Sequence, residues 1–138
     1  MRRELTMAAA LVLLLIVSTT ALILAGTPLT EVTVEQARTL IQERAGKGGL
    51  AILDVRTPAE FAEGHLAGAA NLDVSAADFA ARVATLDRAK TYLVYCRTGN
   101  RSRKAVQAME RLGFQSISHM HQGIVGWQQK GYPVSRSS

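Results

Sequence analysis

Apolar and polar positions change period several times along this chain. Residues 7–25 form an almost unbroken apolar stretch, interrupted only by Ser18, Thr19 and Thr20. As a helix at ~1.5 Å per residue it would reach about 29 Å, close to the ~30 Å hydrocarbon core of a bilayer. Beyond it, helical and strand patterns alternate. Thr33 with Gln36 makes a capping box ahead of Val34, Ala37, Leu40 and Ile41, which share one helical face. Residues 46–49, with glycines at 46, 48 and 49, end that helix, and residues 50–55 form an apolar run of strand length. Thr57, Pro58 and Glu60 supply an N-cap, a first-turn proline and a third-position glutamate, predicting a short helix that stops at Gly64. Residues 69–72 suit a second strand. Ser75 with Asp78 caps a further helix whose Phe79, Val83 and Leu86 lie on one face. A third strand covers residues 92–95, and a helix over 102–112 carries Ala105, Met109 and Leu112 before Gly113. Residues 117–120 suit a last strand, 124–130 a final helix, and 135–138 a frayed tail.

Strands separated by helices predict βαβ units: an α/β fold with a parallel sheet covered on both faces, preceded by the apolar N-terminal helix. In such sheets ligands gather beyond the carboxyl ends of the strands. The division is residues 1–27 as a signal-anchor or signal peptide and 28–138 as one domain, near the commonest domain size. Arg2 and Arg3 ahead of the apolar stretch place the N-terminus in the cytoplasm and the domain outside it, in the periplasm. A signal-peptide core is usually shorter, roughly 7 to 15 residues, and ends at a small-x-small site. Here Ile23 or Leu24 occupies the upstream small position. An uncleaved single-pass membrane anchor is therefore preferred to a leader removed on secretion.

Composition narrows the chemistry. The net charge of +5 is mild, aromatics make up 5% of residues, and no basic tract is interleaved with them, so nucleic acid is not an expected partner. A single cysteine forbids an internal disulfide, and three histidines do not form a zinc site of the usual spacing, so neither metal nor cofactor is expected.

That cysteine is the centre of the candidate site. Cys96 opens the segment Cys96-Arg97-Thr98-Gly99-Asn100-Arg101 between a predicted strand and a predicted helix. Backbone N-H groups and the positive end of the helix dipole favour an anion or a thiolate at such a turn. A free thiol titrates near ~8.5, and lowering it by about two units would correspond to roughly 2.7 kcal/mol. Arg97, Arg101, Arg103 and Lys104 push that way, with no acidic residue between Cys96 and Lys104. The alternative is a buried structural cysteine, which four neighbouring cations would leave unexplained.

Three separated motifs then carry a family resemblance. Asp54-Val55-Arg56-Thr57-Pro58-Ala59-Glu60-Phe61 with Gly64-His65-Leu66-Ala67-Gly68-Ala69-Ala70-Asn71, the cysteine turn, and residues 127–134 together resemble rhodanese domains, in the family's order and spacing. The resemblance covers nearly everything from Thr30 to Val134 and implies a rhodanese-like sheet and a thiosulfate sulfurtransferase-like activity. It makes Cys96 the nucleophile and persulfide carrier. The backbone of Arg97, Thr98, Gly99, Asn100, Arg101 and Ser102 would cradle the outer sulfur. Arg97 and Arg101 would draw in a small anionic donor such as thiosulfate, and cyanide, a thiol or a protein thiol would accept the sulfur. Many family members carry two glycines after the last strand, whereas Gln122 precedes Gly123 here, which bears on the pocket rim.

The remaining polar residues have structural roles as the simpler expectation. Glu60 caps its helix and pairs with Arg56, Asp54 bonds local backbone or a neighbouring arginine, and His65 satisfies backbone before Leu66. His119 and His121 flank the last strand and could face the pocket, while Trp127 belongs to the core. Two other functions stay open. Cysteine-dependent phosphatases and arsenate reductases also place a thiolate at a strand-to-helix turn, but need one residue more between cysteine and arginine than the four present here. A membrane-tethered rhodanese domain could also serve as a non-catalytic docking or sensing module.

Overall fold

The computed structural model describes residues 26–137. The chain runs β1 (Leu29–Val32), α1 (Val34–Arg44), β2 (Leu50–Asp54), α2 (Pro58–Glu63), β3 (Ala70–Asn71), α3 (Phe79–Ala84), β4 (Thr91–Tyr95), α4 (Asn100–Arg111), β5 (Ser116–Met120) and α5 (Gly123–Gln129). Its five strands form one sheet in the order β1-β5-β4-β2-β3 with every pairing parallel. β4 occupies the middle. Its residues Tyr92 to Tyr95 are all buried, because a central parallel strand is covered on both faces.

Side-chain alternation along the strands divides the core into two layers. Leu53, Tyr92, Val94, Cys96 and Ile117 face Phe79 and Val83 of α3 and Ala105, Val106 and Met109 of α4. Ile52, Leu93, Tyr95 and Met120 face the other way, against Val34 and Ala37 of α1 and Ile124 and Trp127 of α5. Trp127 is thus a core residue, as expected, with its indole N-H donating to the Pro133 carbonyl at 2.9 Å. The crossover from β2 leads toward β3 and the one from β4 leads the opposite way, toward β5. A crevice therefore opens at the carboxyl ends of β2 and β4, where an open α/β sheet collects ligands.

Both predicted capping boxes form. Thr33 and Gln36 exchange bonds of 2.8 and 3.2 Å, and Thr57 and Glu60 exchange bonds of 3.4 and 3.3 Å. Elsewhere the structure corrects the sequence. Asp78 precedes α3 without a side-chain cap, and Ser75 turns back to Asp73, its hydroxyl donating at 2.6 Å, because that aspartate offers a nearer acceptor. α4 begins at Asn100, two residues earlier than expected, which brings Ser102 into its first turn. β1 was not anticipated: only Leu29 and Val32 in it are apolar, too short a pattern to stand out. Nor is residue 135 frayed. Ser135 and His65 exchange two backbone hydrogen bonds of 2.8 Å, laying the C-terminal segment beside the turn before Leu66.

The apolar stretch 7–25 lies outside the described residues. Among the described residues, no helix is long and apolar enough to cross a membrane.

Candidate active site

The turn after β4 is shaped by what presses on it from β5 and α5. The N-H groups of Ile124 and Val125, at the start of α5, donate to the carbonyls of Cys96 and Arg97 at 2.9 and 3.2 Å. Those carbonyls are thereby drawn outward, and the turn's own N-H groups are left facing the sulfur. Gly99 adopts φ +99°, and a Cβ there would run into the His121 carbonyl. Gly123 adopts φ +65°, and a Cβ there would strike the Arg97 carbonyl. Only glycine satisfies both the dihedral and the space at these two positions.

Within this turn the Cys96 sulfur accepts a hydrogen bond from the Gly99 N-H at 3.1 Å and one from the Ser102 hydroxyl at 3.2 Å. Burial pushes the thiol up, but hydrogen bonds from the Ser102 hydroxyl and from the N-H groups of Ser102, Gly99 and Thr98 outweigh it, so the thiol lies below its ordinary value. The expected lowering is present with a different main cause: hydrogen bonds lead, rather than the crowd of cations. Arg103 and Lys104 are exposed on the outside of α4. Arg101 is engaged elsewhere, its guanidinium donating to both Glu60 oxygens at 2.7 and 2.9 Å. That pairing, with burial opposing it, holds the Glu60 carboxyl at about 2.

The expected Arg56 to Glu60 pair does not form. Arg56 instead clasps Asp54 at 2.6 Å and donates to the Gly64 carbonyl at 2.7 Å, because both partners are buried beside it and need satisfying. Asp54 thus bonds a neighbouring arginine and the Arg56 N-H, as expected. His65 stacks on Phe61 and its Nδ1 meets the Phe61 carbonyl at 2.8 Å, a structural role.

A cleft of about 670 Å³ opens beside the turn, with Arg56, Glu60, Arg97, Val125 and Arg136 among its lining residues. Arg97 is exposed, and among the described residues its side chain has no hydrogen-bond or ion-pair partner. Thr98 and Asn100 are exposed at the turn, while Cys96 itself is only 1% exposed and is not among the residues lining the cleft. Gln122 turns away from this rim. With φ −79° it needs no glycine, and its side-chain oxygen accepts from the Val34 N-H at 2.9 Å, capping α1. The second glycine was therefore dispensable here.

Of three further residues near the site, the sequence raised His119 and His121 without fixing their roles and gave no sign of Arg136. Arg136 reaches the cleft because of the Ser135 pairing. His121 is exposed, contributing its carbonyl against Gly99, whereas His119 is fully buried inside β5, with Nε2 2.7 Å from the Ser102 hydroxyl and Nδ1 2.9 Å from Glu31. An imidazole within the otherwise apolar and small pattern of residues 116–120 was the available signal.

Comparison with known proteins places this geometry in context. The family model for the rhodanese-like domain matches residues 36–130. A probable adenylyltransferase/sulfurtransferase of Mycobacterium tuberculosis is 36% identical over 84 residues, which cover 61% of this chain but only 21% of that protein. A thiosulfate sulfurtransferase of Pseudomonas aeruginosa is 33% identical over 105 residues, covering 75% of this chain and 87% of the relative. Among solved structures, a rhodanese-related protein from Thermoplasma volcanium superposes with a TM-score of 0.64 at 30% identity, covering 78% of this chain and 98% of that one.

Proposed function

The chain belongs to the rhodanese-like family, and from that premise we propose that it is a sulfurtransferase working through a persulfide on Cys96. The observation that carries this is the sulfur's position inside the turn, with the Gly99 N-H at 3.1 Å and the Ser102 hydroxyl at 3.2 Å. Donors aimed at one atom in a dry site stabilise charge on it at little cost in reorganisation.

The Cys96 thiolate attacks the sulfane sulfur of a small anionic donor such as thiosulfate. A new sulfur-sulfur bond forms, the donor's own breaks, and sulfite departs with that electron pair. Negative charge now rests on the outer sulfur, within reach of the turn's N-H groups. A thiol, cyanide or a protein thiol, attacking as its anion, takes that sulfur and returns Cys96 as thiolate. Arg97 faces the cleft through which the donor's oxygens approach, and Arg136 adds a second guanidinium there. With Cys96 1% exposed, a narrow sulfur atom is a better match for the turn than a bulky reagent.

Intact mass spectrometry tests this. After thiosulfate the protein gains one sulfur atom, cyanide or dithiothreitol removes it, and Cys96→Ser never acquires it. If wild-type protein gains no sulfur from any sulfane donor, the enzymatic proposal falls and a docking or sensing module takes its place.

A further inference from the structure

His119 takes no part in the sulfur-transfer steps above, yet its imidazole is fully buried two hydrogen bonds from the reacting sulfur. Nε2 lies 2.7 Å from the Ser102 oxygen, which lies 3.2 Å from the Cys96 sulfur. On its other side Nδ1 lies 2.9 Å from a Glu31 oxygen, and the Glu31 side chain is 51% exposed. We propose that His119 is a positioning residue that takes up the Cys96 proton through Ser102, so that Cys96, Ser102, His119 and Glu31 form a relay that moves the proton from the buried sulfur onto the imidazole.

Two arrangements keep the hydrogen bonds continuous from sulfur to Glu31, with the Gly99 carbonyl, 3.2 Å from the Ser102 oxygen, as a competing acceptor. A serine hydroxyl has one hydrogen and two lone pairs. With Cys96 as a thiol, S-H donates to Ser102, the Ser102 hydroxyl donates to Nε2, and Nδ1-H donates to the Glu31 carboxylate. With Cys96 as a thiolate, the Ser102 hydroxyl donates to sulfur and must accept from Nε2-H, while Nδ1-H still faces Glu31. Both ring nitrogens then carry hydrogen, so the second arrangement is an imidazolium. Passing between them moves the thiol proton onto Ser102 and the Ser102 proton onto Nε2. No atom is gained or lost, and charge separates into a thiolate and an imidazolium. The Glu31 carboxylate steadies that cation, as expected of a group that orients an imidazole.

Few other charges compete for this role. On β1 the ionisable neighbour is Glu31 itself, and on β4 Tyr92 donates its hydroxyl to the Asp87 carbonyl. On the first turns of α4, Arg101 is held by Glu60, and Arg103 and Lys104 are exposed.

The relay rests on the sulfurtransferase proposal for its purpose, but its protonation is measurable without any sulfur donor. In the full-length chain, thiolate absorbance reports Cys96 alone once a Cys96→Ser blank is subtracted, and nitrogen NMR reports the His119 ring. Because the transfer moves a proton within the relay and releases none, the wild type should show the His119 imidazolium alongside the thiolate over a common span of pH. His119→Gln, which keeps an amide near Ser102 but takes no proton, should raise the thiolate midpoint by about one pH unit or more, roughly tenfold in acidity. Glu31→Gln should raise it by less, and the pH profile of sulfur transfer should move with each midpoint. A His119 ring that is neutral at every pH where the thiolate is present overturns the relay, a result that needs no variant to fold. So does a His119→Gln midpoint equal to that of the wild type. Coupled titration in a protein that never gains sulfur would sink the sulfurtransferase proposal and leave the relay standing.

Discussion

Arg101 and Glu60 join two parts of the site that lie far apart in sequence. The guanidinium of Arg101, in the first turn of α4, bonds both oxygens of a carboxylate that also caps α2 through Thr57. The cysteine turn and the wall of the cleft are therefore one connected unit, and Arg101 acts as a strut within it. A fork-to-carboxylate pair fixes geometry as well as charge, which a lysine at the same place would not reproduce.

The strut gives stability a defined pH window. Glu60 falls from its ordinary 4.5 to about 2 in the folded protein. A carboxyl with a lowered folded value contributes fully above its unfolded value and loses that contribution as pH falls through the folded one. Glu60→Gln should therefore cost about 1 kcal/mol near neutrality, a modest figure because solvent screens a pair about a third exposed. The difference from wild type should shrink between about pH 4.5 and 2 in urea titrations. A pH-independent difference would mean the pair is lost in solution.

The same contact reassigns the arginines. With Arg101 engaged, the proposed mechanism assigns capture of the anionic donor to Arg97 and Arg136, which line the cleft. Replacing either by alanine should raise the KM for thiosulfate about three- to tenfold, with little change in kcat and a smaller effect at high salt, where the Debye length is ~3 Å. Arg103→Ala should leave KM unchanged, and Arg101→Ala should lower kcat and stability together. Equal effects from all four would show that general positive potential, rather than placement, governs capture.

Local signals were legible where they were dense. Two capping boxes, the apolar run before Cys96 and the amphipathic helix after it set the sequence of elements, and their alternation gave the parallel sheet. What escaped was decided by partners distant in sequence. Glu60 has Arg56 close in sequence and Arg101 far off, and Arg56 is claimed by Asp54 and the Gly64 carbonyl, which no spacing rule reveals. Glu31 and His119 meet because β1 pairs with β5 in a register that sets them side by side. β1 itself has too few apolar residues to be seen alone. The C-terminal segment looked like a tail because its order comes from two backbone bonds to His65, which carry no side-chain signature.

The turn's tolerance should differ sharply between adjacent positions. Gly123→Ala meets both a φ of +65° and the Arg97 carbonyl, so it should destabilise by about 2 to 4 kcal/mol and impair sulfur transfer. Gln122→Ala removes a hydrogen bond to the Val34 N-H and should cost about 1 kcal/mol while leaving transfer intact. Chemical denaturation paired with the thiocyanate assay separates the two. Comparable losses of activity would mean that the rim at Gln122 touches the donor.

The proposed membrane anchor at residues 7–25 carries a consequence for how the cleft is presented. All strands of the sheet are parallel, and the cysteine turn leaves the carboxyl end of β4. The described chain enters the sheet at Leu29, the amino end of β1, at the opposite end of the strands. The full-length chain should then sediment with membranes and still transfer sulfur from thiosulfate as fast as a form beginning near Gly26. With Cys96→Ser as background, a cysteine engineered at Ser137 should react with a membrane-impermeant maleimide in intact cells if, as the sequence leads one to expect, Arg2 and Arg3 hold the N-terminus inside. Labelling only after lysis would reverse the orientation, and a soluble product shortened by about 25 residues would replace the anchor with a cleaved leader.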